Sequence, residues 1–331
     1  MNRWLIRIFL VVLCLLALPY SSPAPLIYTP GEGWTYEPVG GEGSWRRARA
    51  KDQLIVAQDA FDKKDYGLAL KAARRVVKTW PLSDYAPQAQ YVVGRCYEQK
   101  HLDERAFKEY QKLLEKYPKA VQYEDVLKRQ YEIAGRFLAG QWFRLWSYIP
   151  FFPSMEKTAG LYQKVVNNGP YSGIAPEAQM NIGEARDKQS NFPESVKAYQ
   201  LAADRYNDRP RIAADATYKE AMAFFHQAQT AEYDQSTAGQ AIATFTDFTT
   251  LFPDDPRVAK AQKLITQLRI EQARGNFEIA SYYQKSKKWR GALVYYNEVL
   301  LRDPEAPDAP RARERIDAIK KRVQPTAKAA P

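Results

Sequence analysis

Cysteine and histidine are scarce in this chain of 331 residues, which contains two of each. His101 and His226 lie far apart in the sequence, and neither cysteine has neighbours at the spacing of a metal site. Cys14 falls within an apolar N-terminal run that we expect to be removed, so Cys96 would have no partner for an internal disulfide. We therefore predict that Cys96 is a small buried core residue.

Motifs for catalysis and for nucleic-acid recognition are also missing. The sequence has no glycine-rich phosphate loop and no Gly-x-Ser-x-Gly nucleophile elbow. It has no recognition-helix, RNA-binding or zinc-ligand pattern either. Carboxylates are plentiful, but none is paired with a nucleophile in a recognisable motif. We predict that the protein is not an enzyme, uses no cofactor or metal, and does not bind nucleic acid.

Acidic residues are outnumbered, with 38 Asp and Glu against 49 Lys and Arg, and the formal net charge is +11. This balance suits anionic lipid headgroups, nucleic acid or acidic proteins, and by itself selects none of them.

Long apolar runs are limited to Ile8–Leu18, which is too short to span a bilayer comfortably. Arg3 and Arg7 give the segment a positive start, and small residues follow it. The pattern predicts a signal peptide over residues 1–24 and export of the protein. The alternative is an uncleaved anchor that begins at Trp4, with Arg7 inside it at a cost in free energy.

Residues 25–44 contain five glycines and three prolines, which predicts an irregular linker. From Trp45 to about Arg322 the apolar pattern is helical, and no convincing alternating strand pattern is present. We divide this part into N-terminal repeats over 45–170 and C-terminal repeats over 171–322. Residues 323–331 are expected to form a disordered tail.

Internal repetition is the decisive feature of the helical part. Gly94, Tyr97, Ala106, Tyr110 and Pro118 have the small–aromatic–Ala–aromatic–Pro spacing of a 34-residue helix–turn–helix repeat. A hairpin of this kind cannot bury its apolar face alone, so several must stack. We predict an all-α tetratricopeptide-repeat (TPR) solenoid of about five to six repeats. The same frame recurs at Ala57, Ala60, Ala69, Ala73 and Pro81, at Ala280, Tyr283, Ala292, Tyr296 and Pro304, and in part at Gly183, Ser195 and Tyr199.

The third repeat is interrupted by an aromatic insertion at residues 141–154. If exposed, the insertion would be an apolar patch that binds protein or membrane; the alternative is a loop that folds over the solenoid and plugs it. Beyond Pro256 we predict one long helix that passes Gly275 and continues to about Lys285. The aromatic residues of the insertion are Trp142, Phe143, Trp146, Tyr148, Phe151 and Phe152.

Residues 245–304 resemble the C-terminal half of the outer-membrane protein assembly factor BamD family. The likeness consists of an aromatic-rich second helix, a proline turn, a long Lys/Arg-rich helix, a Tyr-Tyr step at Tyr282 and a hairpin ending in Asp303-Pro304. It extends over roughly residues 45–322 and is most specific in the last hundred.

The resemblance implies a non-enzymatic scaffold on the periplasmic side of the outer membrane. Such proteins bind a BamA-like barrel insertase chiefly through the C-terminal repeats, and unfolded outer-membrane proteins chiefly through the N-terminal ones. Accessory assembly lipoproteins and the membrane surface are further candidate partners. Family members are typically lipoproteins, but Cys14 follows Val12 and Leu13 in mid-run, so the sequence does not predict an acyl anchor.

Two other functions compete with this reading. One is a general cell-envelope TPR adaptor for peptidoglycan or secretion machinery. The other is an envelope enzyme that carries a repeat scaffold, which is disfavoured because repeats fill the chain and leave no room for a catalytic domain.

Two further surfaces are candidate binding sites. In this repeat class, first-helix positions line the inner surface, so we expect Phe61 and Tyr91 to pack an aromatic side chain of a bound peptide. Arg95 and Arg136 would then pair with its carboxylate. The alternative is that all four are ordinary solvated or inter-repeat residues. By analogy, the surface facing the insertase would be Tyr282, Lys285, Lys288, Trp289 and Arg290.

Overall fold

The computed structural model describes residues 26–31, 33–36, 45–145, 149–230 and 235–323. The predicted signal peptide, with Cys14, and the predicted tail from residue 324 lie outside these ranges. The chain divides into two compact units, the first ending at Arg129 and the second beginning at Gln130. This boundary lies earlier than the division at residue 170 that we drew from the repeats.

Thirteen helices lie in the described ranges, which confirms the all-helical repeat fold. From α1 to α4 in the first unit, and from α6 to α13 in the second, consecutive helices pack against each other. None of the helices in these ranges has the length and hydropathy needed to cross a membrane. The first unit contains α1 (Ala50–Asp62), α2 (Tyr66–Thr79), α3 (Ala86–Gln99), α4 (Asp103–Lys116) and the start of α5 (Tyr123–Leu138). The second unit contains the rest of α5, α6 (Met155–Asn168), α7 (Ala175–Asp187), α8 (Phe192–Arg205), α9 (Pro210–Thr230), α10 (Gln235–Leu251), α11 (Val258–Lys285), α12 (Trp289–Arg302) and α13 (Ala309–Val323).

The predicted long helix is confirmed by α11, which runs for 28 residues without a break. Its first half packs on α10 and its second half on α12. Gly275 is tolerated in the middle of this helix, where an added Cβ would come within 3.1 Å of the Gln235 side-chain amide.

Two short antiparallel hairpins correct the expectation that strands are absent. The strands β1 (Leu26–Thr29) and β2 (Gly33–Tyr36) pair within the segment that we expected to be irregular. The strands β3 (Phe143–Leu145) and β4 (Ile149–Phe152) pair within the aromatic insertion. Strands of three or four residues are too short to show a period of two in the sequence. The turn of the first hairpin was readable, because Pro-Gly is a turn dipeptide and Gly31 has a φ of +83°.

Close packing of a small residue against an aromatic ring sets the geometry of the repeats. An added Cβ on Gly94 would lie 2.3 Å from the Tyr110 ring, and one on Gly183 would lie 2.4 Å from the Tyr199 ring. In both repeats the ring belongs to the residue sixteen positions later, as the predicted frame requires. Ala106, at the other small position of the second repeat, is fully buried. The corresponding Ser195 and Ala292 are also fully buried.

The tyrosine at the end of this frame also has a fixed polar partner. Tyr110 Oη donates to Glu98 at 2.7 Å, and Tyr199 Oη donates to Asp187 at 2.7 Å. Tyr296 Oη donates to Gln284 at 2.6 Å. In each pair the acceptor lies twelve residues before the tyrosine, so the three hairpins are equivalent in hydrogen bonding as well as in packing.

The turn between the two helices of a hairpin is equally regular. In four hairpins it contains a residue with a left-handed backbone, and none of these residues is glycine. They are Lys64, His101, Ser190 and Lys287, with φ values of 62°, 53°, 56° and 56°.

The contact at Gly183 can be tested by Gly183→Ala, which forces a methyl group into the Tyr199 ring. We expect it to lower the free energy of unfolding by about 1–3 kcal/mol through overpacking. Urea unfolding followed by circular dichroism measures the change. The matched control is Gly160→Ala on α6, where an added Cβ meets nothing within 4 Å. The control is expected to stabilise by about 0.5–1 kcal/mol, because alanine favours a helix over glycine. Equal effects of the two substitutions would contradict the packing account.

Candidate functional site

The predicted peptide groove is partly assembled in the first unit, around the side chain of Arg95 on α3. Its guanidinium carbon lies 5.4 Å from the centre of the Phe61 ring and 5.7 Å from that of the Tyr91 ring. Arg95 Nη1 donates to Tyr91 Oη at 3.1 Å. Arg95 Nε is buried without a hydrogen-bond partner in the described residues. No carboxylate in the described ranges forms an ion pair with Arg95, although its charge acts at longer range on Asp125.

A second arginine, Arg129, forms ion pairs with the carboxylates of Asp125 and Glu98 beside this site. Its Nε lies 2.8 Å from Asp125 Oδ2 and 3.1 Å from Tyr91 Oη, and its Nη1 lies 3.3 Å from Glu98 Oε2. Tyr91 Oη itself donates to Asp125 at 2.6 Å. The hydroxyl of Tyr91 is therefore engaged within the protein, and only its ring is open to a ligand.

The pKa values of this cluster follow from its contacts. Burial opposes ionisation of Asp125, but hydrogen bonds from Tyr91 and Arg129 and the charges of Arg129 and Arg95 hold its pKa below the usual value. Burial, together with the charge and hydrogen bond of Glu98, raises the pKa of Tyr110. The pKa of the nearby Cys96 thiol is raised to about 11 by burial. Cys96 is fully buried, as predicted.

The fourth predicted groove residue is Arg136. It is half-buried and lies on the portion of α5 that belongs to the second unit. Within the first unit the structure brings together Phe61, Tyr91 and Arg95.

The aromatic insertion is divided between burial and exposure. Phe143 is 2% exposed and stacks on Phe137, with ring centres 4.1 Å apart. Trp142 and Phe152 remain 53% and 40% exposed. Lys157 Nζ lies 5.1 Å from the Phe143 ring and 5.6 Å from the Phe152 ring. Phe143 therefore anchors the hairpin, as expected of a loop that folds over the solenoid, whereas Trp142 and Phe152 face solvent. Trp146, Tyr148 and the side chain of Phe151 lie outside the described part.

The predicted insertase-facing residues cluster around the turn between α11 and α12. Lys285, Lys288 and Arg290 are exposed, and Tyr282 is 66% exposed. Trp289 is half-buried, and the guanidinium carbon of Arg322 lies 5.2 Å from the centre of its ring. This surface is basic with an aromatic edge, as expected.

Sequence analysis missed a pair of adjacent cavities along α11. The larger has a volume of about 840 Å³ and lies where α11 faces α9 and α10. The smaller, of about 480 Å³, extends to Tyr282 and Lys285. Arg274 and Glu278 line both cavities. The feature of the sequence that could have indicated these cavities is the spacing of polar residues on one face of α11. One of these residues is Gln272, whose side-chain amide donates to the Gln235 carbonyl at 3.1 Å.

One cluster of carboxylates lies away from these surfaces, around Glu220 on α9. Burial, together with the negative charges of Asp204 and Asp247, raises the pKa of Glu220 to about 7. Among the residues that the structure describes, no group of acidic, histidine or cysteine side chains is arranged to hold a metal ion.

Comparison with known proteins gives two family matches. The profile described as "YfiO: Outer membrane lipoprotein" matches residues 153–330, and a tetratricopeptide-repeat profile matches residues 57–121. YfiO is the family of BamD, so the resemblance is confirmed at the level of the family and the repeats. None of the curated proteins matches the chain.

Solved structures similar to this chain include several TPR proteins, all with low identity and low structural scores. The C-terminal part of a TPR repeat-containing protein from Cytophaga hutchinsonii is 15% identical, with 80% of this chain and 87% of that chain covered and a TM-score of 0.36. YrrB, described as a TPR protein with an unusual peptide-binding site, is 13% identical, with 65% and 92% covered and a TM-score of 0.35. A TPR protein from Parabacteroides merdae is 12% identical, with 82% and 98% covered and a TM-score of 0.29.

The raised pKa of Glu220 makes stability depend on pH. The folded protein holds the Glu220 proton up to about pH 7, whereas the unfolded chain releases it near pH 4.3, so stability falls as pH rises between these values. Glu220→Gln should therefore raise Tm at pH 8 and change it little at pH 4. Calorimetry at both values measures this. The exposed Glu314 on α13 provides the control, because Glu314→Gln should leave Tm nearly unchanged at both pH values. An equal change in Tm for Glu220→Gln at pH 4 and pH 8 would contradict the raised pKa of Glu220.

Proposed function

The chain belongs to the YfiO family of outer membrane lipoproteins, and from this premise we propose that it is a BamD-like scaffold of the outer-membrane β-barrel assembly machinery. It acts on the periplasmic side of the outer membrane, without catalysis. It binds the barrel insertase through its C-terminal repeats and unfolded outer-membrane proteins through its N-terminal repeats. The observation that carries the proposal is the family match over more than half of the chain.

The surroundings of Arg95 support a peptide-binding role for the first unit. The guanidinium has an aromatic ring on two sides and no carboxylate partner in the described ranges. An extended peptide that ends in an aromatic residue offers the two complementary groups, a ring for Phe61 and Tyr91 and a terminal carboxylate for Arg95. A neutral peptide end would leave the arginine charge without a partner, so the site favours a free C-terminus.

The second unit supports the insertase contact through its exposed basic turn. Lys288 and Arg290 lie on either side of Trp289 and have no ion pair in the described residues, and Tyr282 lies in the last turn of α11. Aromatic and arginine side chains are enriched at the centres of protein interfaces. We assign this surface, with Lys285, to the insertase.

Arg95→Met tests the peptide site, because methionine keeps much of the side-chain length and removes the charge. A peptide that ends in phenylalanine with a free carboxylate should bind about 10- to 100-fold more weakly to the variant, since a charge-assisted hydrogen bond contributes about 1.5–3 kcal/mol. Fluorescence anisotropy of a labelled peptide measures Kd. Lys71→Met on the exposed side of α2 is the matched control and should not change Kd.

Amidating the peptide terminus sharpens this test. If Arg95 pairs with the carboxylate, amidation should weaken binding to the native protein and have little further effect on Arg95→Met. Additive losses would place the carboxylate elsewhere and remove Arg95 from the site.

The insertase contact is tested by affinity capture from detergent-solubilised envelopes. The native protein should recover the barrel insertase, and Lys288→Glu combined with Arg290→Glu should lose it, because the charge of the contacting surface is reversed. Lys63→Glu with Lys64→Glu, at the equivalent turn of the first hairpin, is the control and should retain recovery. If the native protein recovers only cell-wall enzymes or secretion components, the general adaptor function replaces the proposed one.

A further inference from the structure

One end of the last hairpin carries an unusual concentration of positive charge. The segment Lys285–Arg290 contains four cations and no acidic residue. Lys285, Lys287, Lys288 and Arg290 are all exposed. They lie at the end of α11, in the turn and at the start of α12, so they share one tip of the second unit.

The final helix brings three more cations to the same tip. Arg322 stacks over the Trp289 ring at 5.2 Å, and Val323 packs on the core cluster that Trp289 also covers. The last turn of α13 therefore lies beside the start of α12, and the side chains of Lys320, Lys321 and Arg322 are exposed. The basic tip, which we define as Lys285, Lys287, Lys288, Arg290, Lys320, Lys321 and Arg322, contains no residue that pairs with a carboxylate of the described ranges.

A structural explanation accounts for part of this charge. The carboxyl ends of α11 and α13 both lie at the tip, and cations there interact favourably with the helix dipole. The dipole effect is limited to the last turn of each helix, so it does not explain Lys287, Lys288 and Arg290. These three residues lie beyond the end of α11, and Arg290 is in the first turn of α12, where a cation is unfavourable.

The equivalent turn of the first hairpin shows that the fold does not require this charge. That turn also contains a left-handed lysine, Lys64, but Asp62 and Asp65 flank Lys63 and Lys64 and balance them. Asp65 has a structural role there, because its carboxylate accepts a hydrogen bond from the Leu68 amide at 3.0 Å. The uncompensated charge is thus a property of the last hairpin, independent of the turn geometry.

We propose that the basic tip binds the anionic phosphate headgroups of a membrane surface. Five of its seven cations are lysines, and the flexible point charge of lysine suits a diffuse layer of phosphates. Bidentate recognition of carboxylates on a protein surface favours the planar guanidinium of arginine instead. Trp289 and Tyr282 add aromatic side chains of the kind that reside at the membrane interface. This inference goes beyond the proposed function, because its ligand is lipid. The tip shares Lys285, Lys288 and Arg290 with the insertase-facing surface, so lipid and insertase would compete for these three residues, whereas Lys287 and the three cations of α13 belong to the tip alone.

The expected strength follows from the number of charges. Each Lys or Arg near an anionic leaflet strengthens binding about fivefold at physiological salt. The attraction is screened over a Debye length of about 8 Å, so only cations that reach the surface contribute. Neutralising three of them should therefore weaken binding on the order of 100-fold.

The test uses the full chain and vesicles of phosphatidylcholine with about one third phosphatidylglycerol. Flotation or sedimentation measures the partition coefficient. The native protein should bind these vesicles, fail to bind pure phosphatidylcholine, and lose binding as salt is raised to about 1 M. Lys287→Gln, Lys320→Gln and Lys321→Gln together should reduce the coefficient on the order of 100-fold. These lysines are chosen because they are exposed and lie outside the insertase-facing set.

Matched controls separate the tip from general basicity. Lys63→Gln, Lys64→Gln and Lys71→Gln remove the same charge from the first unit and should leave the partition coefficient within about twofold of the native value. Circular dichroism should show all variants to be folded. Equal losses in the two triple variants, or no binding of the native protein to anionic vesicles, would overturn the proposal.

Capture of the insertase in the same variants distinguishes this inference from the proposed function. We expect the tip variant to lose vesicle binding and keep the insertase. Loss of the insertase without any vesicle binding by the native protein would instead assign these lysines to an acidic protein surface and overturn the lipid inference. Failure to recover the insertase with the native protein would contradict the proposed function and leave the vesicle result to be judged on its own.

Discussion

The close approach of a small residue on the first helix to an aromatic ring on the second is the constraint on which the hairpins depend. At Gly94 and Gly183 there is no room for even one more carbon atom, and the ring of Tyr110 or Tyr199 fills the space. The same ring directs its hydroxyl to an acceptor one turn further along the first helix. A single residue pair thus fixes both the distance between the helices and the polar partner at their surface.

This constraint explains why the helical frame could be predicted from sequence. A small residue, an aromatic ring sixteen positions later and a proline at the end are local and periodic, so they recur in the sequence whatever the surface does. The two hairpins of strands could not be predicted in this way, because three or four residues have no measurable period. The boundary at Arg129 was also hidden, since it falls within the continuous helix α5 and leaves no breaker in the sequence.

The sequence indicated the residue types of the candidate sites, but not the tertiary contacts that these residues make. Aromatic and basic residues at first-helix positions led to the prediction of a groove at Phe61, Tyr91 and Arg95, and the structure places these three side chains next to one another. Sequence could not show that the Tyr91 hydroxyl and the Glu98 carboxylate are already engaged by Arg129, because that arginine comes from a different hairpin. The division of the insertion into a buried Phe143 and exposed neighbours depends equally on a tertiary contact, the stacking on Phe137.

The packing constraint also determines which first-helix positions are free to evolve a binding function. Glu98 lies four residues after the small position and is held by the Tyr110 hydroxyl, so a ligand that took its carboxylate would leave a buried hydroxyl without a partner. Arg95 lies one residue after the small position and points between two rings, where no structural carboxylate meets it. We therefore expect a substitution of Glu98 to disturb the packing of the repeat, and a substitution of Arg95 to change what the surface binds. At the last hairpin the fourth position after the small residue is again structural, since Gln284 accepts the Tyr296 hydroxyl. The first position there is Ser281, whose hydroxyl lies 3.3 Å from the same tyrosine oxygen, so in this hairpin both positions belong to the packing of the repeat. The tyrosine ring thus fixes the small residue and the polar acceptor four positions later, and the side chain between them can differ from one repeat to the next, as Arg95 and Ser281 do.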